Sequence, residues 1–155
     1  MHNLKALFTN YWLMSTVFGW LVAQILKVFT GVFRERDFSL RSLIFGTGGM
    51  PSSHAATVCA LSMASAIAYG LRSFEFAVTV ILAFIVMRDA SGVRRSAGEQ
   101  AKIINRMIKT LSQGGTIDFN SDIKEIIGHT PFQVFVGAIL GAAVPFLMML
   151  IMPVR

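Results

Sequence analysis

Four apolar runs separated by polar connections organise the chain. The first, Tyr11 to Phe29, has Lys27 as its single charge and is long enough to cross about 30 Å of hydrocarbon as a helix. Tyr11 and Trp12 open it, where an interfacial aromatic belt places such rings. The second, Ala55 to Gly70, is free of charge and rich in Ala and Ser. Small residues let helices approach closely in a bilayer, so this run predicts an inner, protein-facing helix. The third, Phe74 to Met87, and the fourth, Phe132 to Met152, are dominated by large apolar side chains; the fourth also holds Gly137, Gly141 and Pro145. Runs two and three are short for full spans and are expected to borrow polar turns at their ends or to be sheltered by neighbours. The pattern predicts an all-α, polytopic membrane helical bundle, about four to five transmembrane helices plus interfacial helices, in one domain over residues 1–155.

The connections place the charge. Arg34 to Gly49 joins runs one and two, with Phe38 to Phe45 expected to re-enter the membrane or lie at its interface. Arg88 to His129 joins runs three and four; it contains an expected amphipathic surface helix, Gln100 to Leu111, and a helix stop at Gln113-Gly114-Gly115. Four alternating spans bring both connections to one face, together with eleven of the fourteen basic residues. Only Lys5, Arg72 and Arg155 remain opposite. The positive-inside rule makes the loaded face cytoplasmic, and six cations still face three when the five with candidate chemistry are set aside. A signal-peptide reading of the first run fails, because no small-residue cleavage site follows it.

Composition agrees with the pattern. The 155 residues are 54% hydrophobic and only 14% charged, where soluble domains carry about a quarter charged residues. An ordinary soluble domain and a disordered chain are both excluded. One cysteine, Cys59, rules out a disulfide framework and a Cys-based metal centre. The net charge of +6 would suit nucleic acid in a polar protein. Beside runs of near-membrane length it points instead to an anionic membrane or a phosphorylated lipid, with no nucleic-acid partner. The expected location is the cell membrane, multi-pass.

Three segments carry candidate chemistry. In Gly48-Gly49-Met50-Pro51-Ser52-Ser53-His54, glycines and Pro-Ser-Ser precede the Ala-rich helix. Free backbone N–H groups, hydroxyls and the positive helix end make an anion cradle; the simpler reading is a glycine turn and a Ser52 cap. In Gly128-His129-Thr130-Pro131-Phe132-Gln133, Thr130 and Gln133 fit a capping box with Pro131 at the first helical position. His129 then sits just outside a helix N-terminus, where the dipole favours neutral imidazole, the nucleophilic form. As a lone histidine it also reads as an ordinary loop residue. In Asp89-Ala90-Ser91-Gly92-Val93-Arg94-Arg95, the arginines read as a solvated membrane flank, while Asp89 at the membrane edge reads as paired or functional. Convergence favours chemistry. Lys27, Arg34, Pro51 to His54, Asp89 to Arg95 and His129 share one predicted face. Two histidines, several cations and a helix-end cradle serve phosphoryl transfer without a metal or other cofactor.

These motifs resemble the divergent branch of the type-2 phosphatidic acid phosphatase superfamily, related to the vanadium-dependent haloperoxidases. The likeness covers most of the chain and continues through Val134 and Gly137. The superfamily's first motif is Lys, six residues, Arg, Pro; Lys27 and Arg34 keep the spacing, and Glu35 replaces the proline. Its Pro-Ser-Gly-His becomes Pro51-Ser52-Ser53-His54. Its third motif places a histidine at His129 and an aspartate at Gln133, while the expected Ser-Arg pair is missing where Asp122 and Ile123 stand. Arg94 and Arg95, or less well Lys124, are the candidates for the lost guanidinium. Neutral Gln133 can orient a histidine but supplies no charge, and Asp89 is the candidate carboxylate if it folds beside His129.

The resemblance implies a membrane-embedded phosphatase of a lipid phosphate or diphosphate, with a polyprenyl carrier as one candidate. His129 is the expected nucleophile, forming a phosphohistidine, and His54 the acid and then the base. Asp89 and Gln133 are supporting residues, and Lys27, Arg34, Ser52, Ser53, Arg94 and Arg95 bind phosphate. The alternative is a non-catalytic anionic-lipid-binding or scaffold protein on a degenerate phosphatase fold. A small transporter is weaker, since no internal repeat is seen. Gly137-x3-Gly141 offers a packing face to a neighbouring helix or to a second copy in a homo-oligomer.

Overall fold

The structure, a computed structural model, describes residues 2–32, 49–113, 123 and 128–154. Arg34, Phe38 to Phe45, Gly48, Asp122 and Lys124 lie outside the described residues. Those described are helical, without a strand. They form α1 (His2–Phe8), α2 (Tyr11–Val32), α3 (Ser53–Tyr69), α4 (Phe74–Arg88), a π-helical turn (Asp89–Val93), α5 (Arg94–Gln113) and α6 (Pro131–Ile151).

The result is a helical membrane bundle. Among the described residues, three helical stretches are long and apolar enough to cross a bilayer: Tyr11–Thr30, Phe74–Leu111 and Pro131–Ile151. The fourth run, α3, has 17 residues, about 25 Å at 1.5 Å per residue, at the lower limit for a span. It needs no lipid-facing surface of its own, because α2, α4 and α6 all pack on it. Ala55, Ala56, Ala60, Ala64, Ser62 and Ser65 are buried along it. Side chains this small bring the surrounding backbones close, as the Ala/Ser composition anticipated.

The closest approach is between α3 and α6. A Cβ on Gly137 would lie 2.4 Å from the Ser52 carbonyl oxygen, and one on Gly141 only 2.2 Å from that of Ala56. The Gly137-x3-Gly141 face therefore meets α3 of the same chain. Gly19 of α2 reaches α3 from another side, where an added Cβ would stand 2.9 Å from that of Ala60. At the far end of α3, Tyr11, Ala64, Val144 and Met148 form a buried apolar cluster. Tyr11 Oη donates to the Pro145 carbonyl at 2.9 Å, and Trp12 stacks on Tyr69.

One segment differs from expectation. The polar connection expected from Arg88 does not begin there; the helix continues. Arg94 N donates to the Asp89 carbonyl, the wider repeat of a π turn, and α5 carries the helix on to Gln113. Helix formers in Arg94-Arg95-Ser96-Ala97 sustain it, with no proline or N-terminal cap to break it. Phe74–Leu111 thus spans 38 residues, about 57 Å, nearly twice the hydrocarbon thickness. Its second half must leave the hydrocarbon.

Candidate functional site

The site lies where α3 and α6 begin and α2 and α4 end. Ser52 caps α3, its hydroxyl accepting from Ala55 N at 3.4 Å. Its own N–H donates to the Gln133 carbonyl at 3.1 Å, which ties the start of α3 to the first turn of α6. The N–H groups of Ser53 and His54 have no acceptor among the described residues. They remain as donors at the positive end of a 17-residue helix, the arrangement that binds anions. The simpler reading of this segment holds: Ser52 is a cap.

α6 opens as its sequence predicts. Thr130 Oγ1 accepts from Gln133 N at 3.3 Å, and Thr130 N donates to Gln133 Oε1 at 2.9 Å, a reciprocal capping box with Pro131 at the first position. The side chain standing in the superfamily's aspartate place is thereby engaged in closing the helix end.

His129 precedes this cap and is buried, 4% exposed. Its backbone N–H donates to the Ala90 carbonyl at 3.1 Å, across to the π turn. Gly128 makes that crossing feasible: a Cβ there would lie 2.5 Å from the backbone N and Cα of Arg95. The imidazole faces His54, with ring centroids 6.4 Å apart. Its Nδ1 is buried with no hydrogen-bond partner. Burial, then the Lys27 cation, hold its pKa below the ordinary 6.5, with His54 and Arg94 adding to the effect and the Gln133 side chain opposing it. At neutral pH the ring is uncharged.

The cations divide. Lys27 and Arg94 act electrostatically on both histidines. The stem of Lys27 runs beneath the turn before α3, where Gly49, at φ +84°, brings the chain within van der Waals reach of it. Left-handed backbone of that kind favours glycine. Thr30 donates to the Met50 carbonyl and fastens the same turn to α2. Arg95 enters differently: its side chain is exposed and its backbone is the surface on which Gly128 rests.

Asp89 is paired, as its place at the membrane edge suggested: its Oδ2 lies 2.6 Å from Arg94 Nε, and its charge bears on His54. The π turn puts Asp89 and Arg94 five residues apart yet adjacent. No described carboxylate therefore backs His129. One contributor escaped sequence reading: Ala90 carries no functional side chain and acts through its carbonyl, which accepts from His129 N.

A helical membrane bundle with two histidines brought together at one end is the class that this geometry defines. Residues 8–144 match the pattern of the Divergent PAP2 family, and the chain belongs to that family. It is also 42% identical over 147 residues to the "Uncharacterized membrane protein YuiD" of Bacillus subtilis (strain 168), covering 87% of this chain and 91% of that protein. No solved structure matches the chain.

Proposed function

We propose that the protein is a membrane phosphatase that hydrolyses a lipid phosphate or diphosphate through a phosphohistidine, without a metal. The observation that carries this reading is the close pair of His54 and His129 beside two helix-end N–H groups that have no acceptor among the described residues. The ring centroids lie 6.4 Å apart. Neutral His129 attacks phosphorus and the bond from phosphorus to the leaving oxygen breaks. His54 gives that oxygen its proton. It then takes a proton from water, which attacks the phosphohistidine, frees phosphate and restores His129. Lys27 and Arg94, with Arg34 and Arg95 as further candidates, hold the phosphate oxygens together with Ser52, Ser53 and the free N–H groups. We further propose that α2, α3, α4 and α6 cross alternately, with the histidine end cytoplasmic. There an amphiphile presents its headgroup while its tail stays in lipid.

The test is phosphate release by detergent-purified protein from a panel of lipid phosphates and diphosphates, beside His129→Ala and His54→Ala. Vanadate-sensitive release that both variants lose, with their fold intact, is the expected result. Activity that vanishes with EDTA and returns with magnesium overturns the metal-free mechanism.

A second reading has its own observation. His129 Nδ1 lacks a carboxylate partner, Asp89 is taken by Arg94 and Gln133 by its cap. A protein that keeps the cradle for binding anionic lipid needs no such carboxylate. Lipid binding by wild type and His129→Ala alike, with no release by either, decides for it.

A further inference from the structure

Helix α5 presents three distinct stripes. Ala101 and Asn105, four residues apart, are buried, and Asn105 brackets the Ile123 backbone: Nδ2 donates to its carbonyl at 2.8 Å and Oδ1 accepts from its N–H at 2.9 Å. Lys102, Arg106 and Lys109 form an exposed cationic stripe on which Glu99, 3.6 Å from Lys102, is the acidic neighbour among the described residues. Ile103, Ile104 and Met107 form an apolar stripe turned away from the buried face; they are 54%, 42% and 59% exposed. Residues three and four apart share a helix face, so these stripes follow directly from the sequence. An apolar face left open beside a cationic one requires an occupant.

We propose that α5 is an interfacial arm whose apolar stripe inserts into the headgroup boundary of an anionic membrane, with the cationic stripe on its lipid headgroups. Two features favour this occupant over a second copy. α5 continues without a break from a helix that is itself apolar enough to cross, so its first turn starts at the bilayer surface and the nearest apolar phase is the membrane that anchors it. The charge beside the stripe is of one predominant sign, which complements anionic lipid and repels the same face of another copy. The π turn at Asp89–Val93 is where the helix departs from its regular repeat, and local kinks arise at such turns. Because the arm starts at Arg94, beside the histidines, it would gather anionic headgroups around the site. The inference does not depend on catalysis.

The test uses the full chain with Cys59→Ala and one added cysteine, Met107→Cys or Lys109→Cys, carrying an environment-sensitive dye. The protein is reconstituted in vesicles of phosphatidylcholine, alone or with about one-third phosphatidylglycerol, a proportion chosen to give a marked surface potential. The expected result is a blue-shifted dye at position 107 that brominated lipid quenches, more strongly with phosphatidylglycerol, while the dye at 109 reports water. Adding Lys102→Gln and Arg106→Gln to the Met107→Cys protein should lower the docked-to-undocked ratio roughly fivefold per charge, the factor for about 1 kcal/mol per basic residue at an anionic surface. Water exposure at 107 in both vesicles overturns the proposal. So does disulfide cross-linking of two Met107→Cys copies without lipid quenching, which assigns the stripe to a second copy. Quenching indifferent to both phosphatidylglycerol and the charge variants overturns its anionic half. Phosphate release is not read, so a failed phosphatase assay leaves this test untouched.

Discussion

At the Tyr11 end of the bundle α2, α3 and α6 meet through side chains, whereas at the His129 end α3 and α6 meet through backbone. Tyr11, Val144 and Met148 pack into a cluster and Trp12 stacks on Tyr69 with centroids 5.1 Å apart. At the other end Gly137 and Gly141 lie against the carbonyls of Ser52 and Ala56, Ser52 N bonds to Gln133, and Gly128 rests on Arg95. Side-chain contacts adjust by changing rotamers, whereas backbone contacts have no such freedom. The end where the two imidazoles lie is thus the one built from parts with little freedom to adjust.

Exchanging the roles of the two ends breaks the comparison most directly. His129→Ala should lower phosphate release by at least about 100-fold while the protein stays folded in detergent at the assay temperature. Met148→Ala, 3% exposed, should cost about 2 kcal/mol through its cavity and leave release intact. If Met148→Ala abolishes release as well, the two ends are not separable. Gly141→Ala comes next. Its Cβ has no room against Ala56, so α6 must move, at about 1–3 kcal/mol or more, and release should fall with stability. Ala143→Leu on the exposed side of the same helix should change neither; equal effects would mean that the close approach is not decisive.

The pH profile sharpens the picture of the buried ring. The proposed mechanism needs neutral His129 and protonated His54, both held below the ordinary 6.5 by burial first, so release should follow a bell centred below 6.5, with its acid limb reporting His129 and its alkaline limb His54. The same shift affects folding. The unfolded imidazole takes a proton near 6.5 and the folded one only at lower pH, so this contribution to stability is present above 6.5 and lost as pH falls through the folded value. An acid limb centred above 6.5 contradicts burial as the dominant cause. Thr130→Ala should cost about 1 kcal/mol in a denaturation series by removing one half of the capping box. Arg94→Gln should be the mildest for folding, under about 1 kcal/mol, because its pair with Asp89 is 44% and 40% exposed. Its effect belongs in KM for the phosphorylated lipid, and an unchanged KM removes Arg94 from the phosphate-binding set.

The parts legible in the sequence are those governed by neighbours along the chain. Apolar runs of sufficient length dictate helices in a bilayer, because every backbone polar group must be satisfied within the segment. Thr130, Pro131 and Gln133 write their own cap, Ser52 writes another, and the Ala/Ser run marks the helix that others enclose. That His54, His129 and Lys27 gather at one end was expected from alternating runs along the chain.

Tertiary structure decided what depends on atoms far apart in sequence. Only packing shows that the histidine rings lie 6.4 Å apart and that Gly137 and Gly141 are spent on α3. A π turn, invisible to a search for regular 3.6-residue periodicity, carries the third run onward and hands Asp89 to Arg94 and not to His129. Periodicity and capping act within about a turn, whereas the charge partner of a buried imidazole is chosen by how whole helices meet.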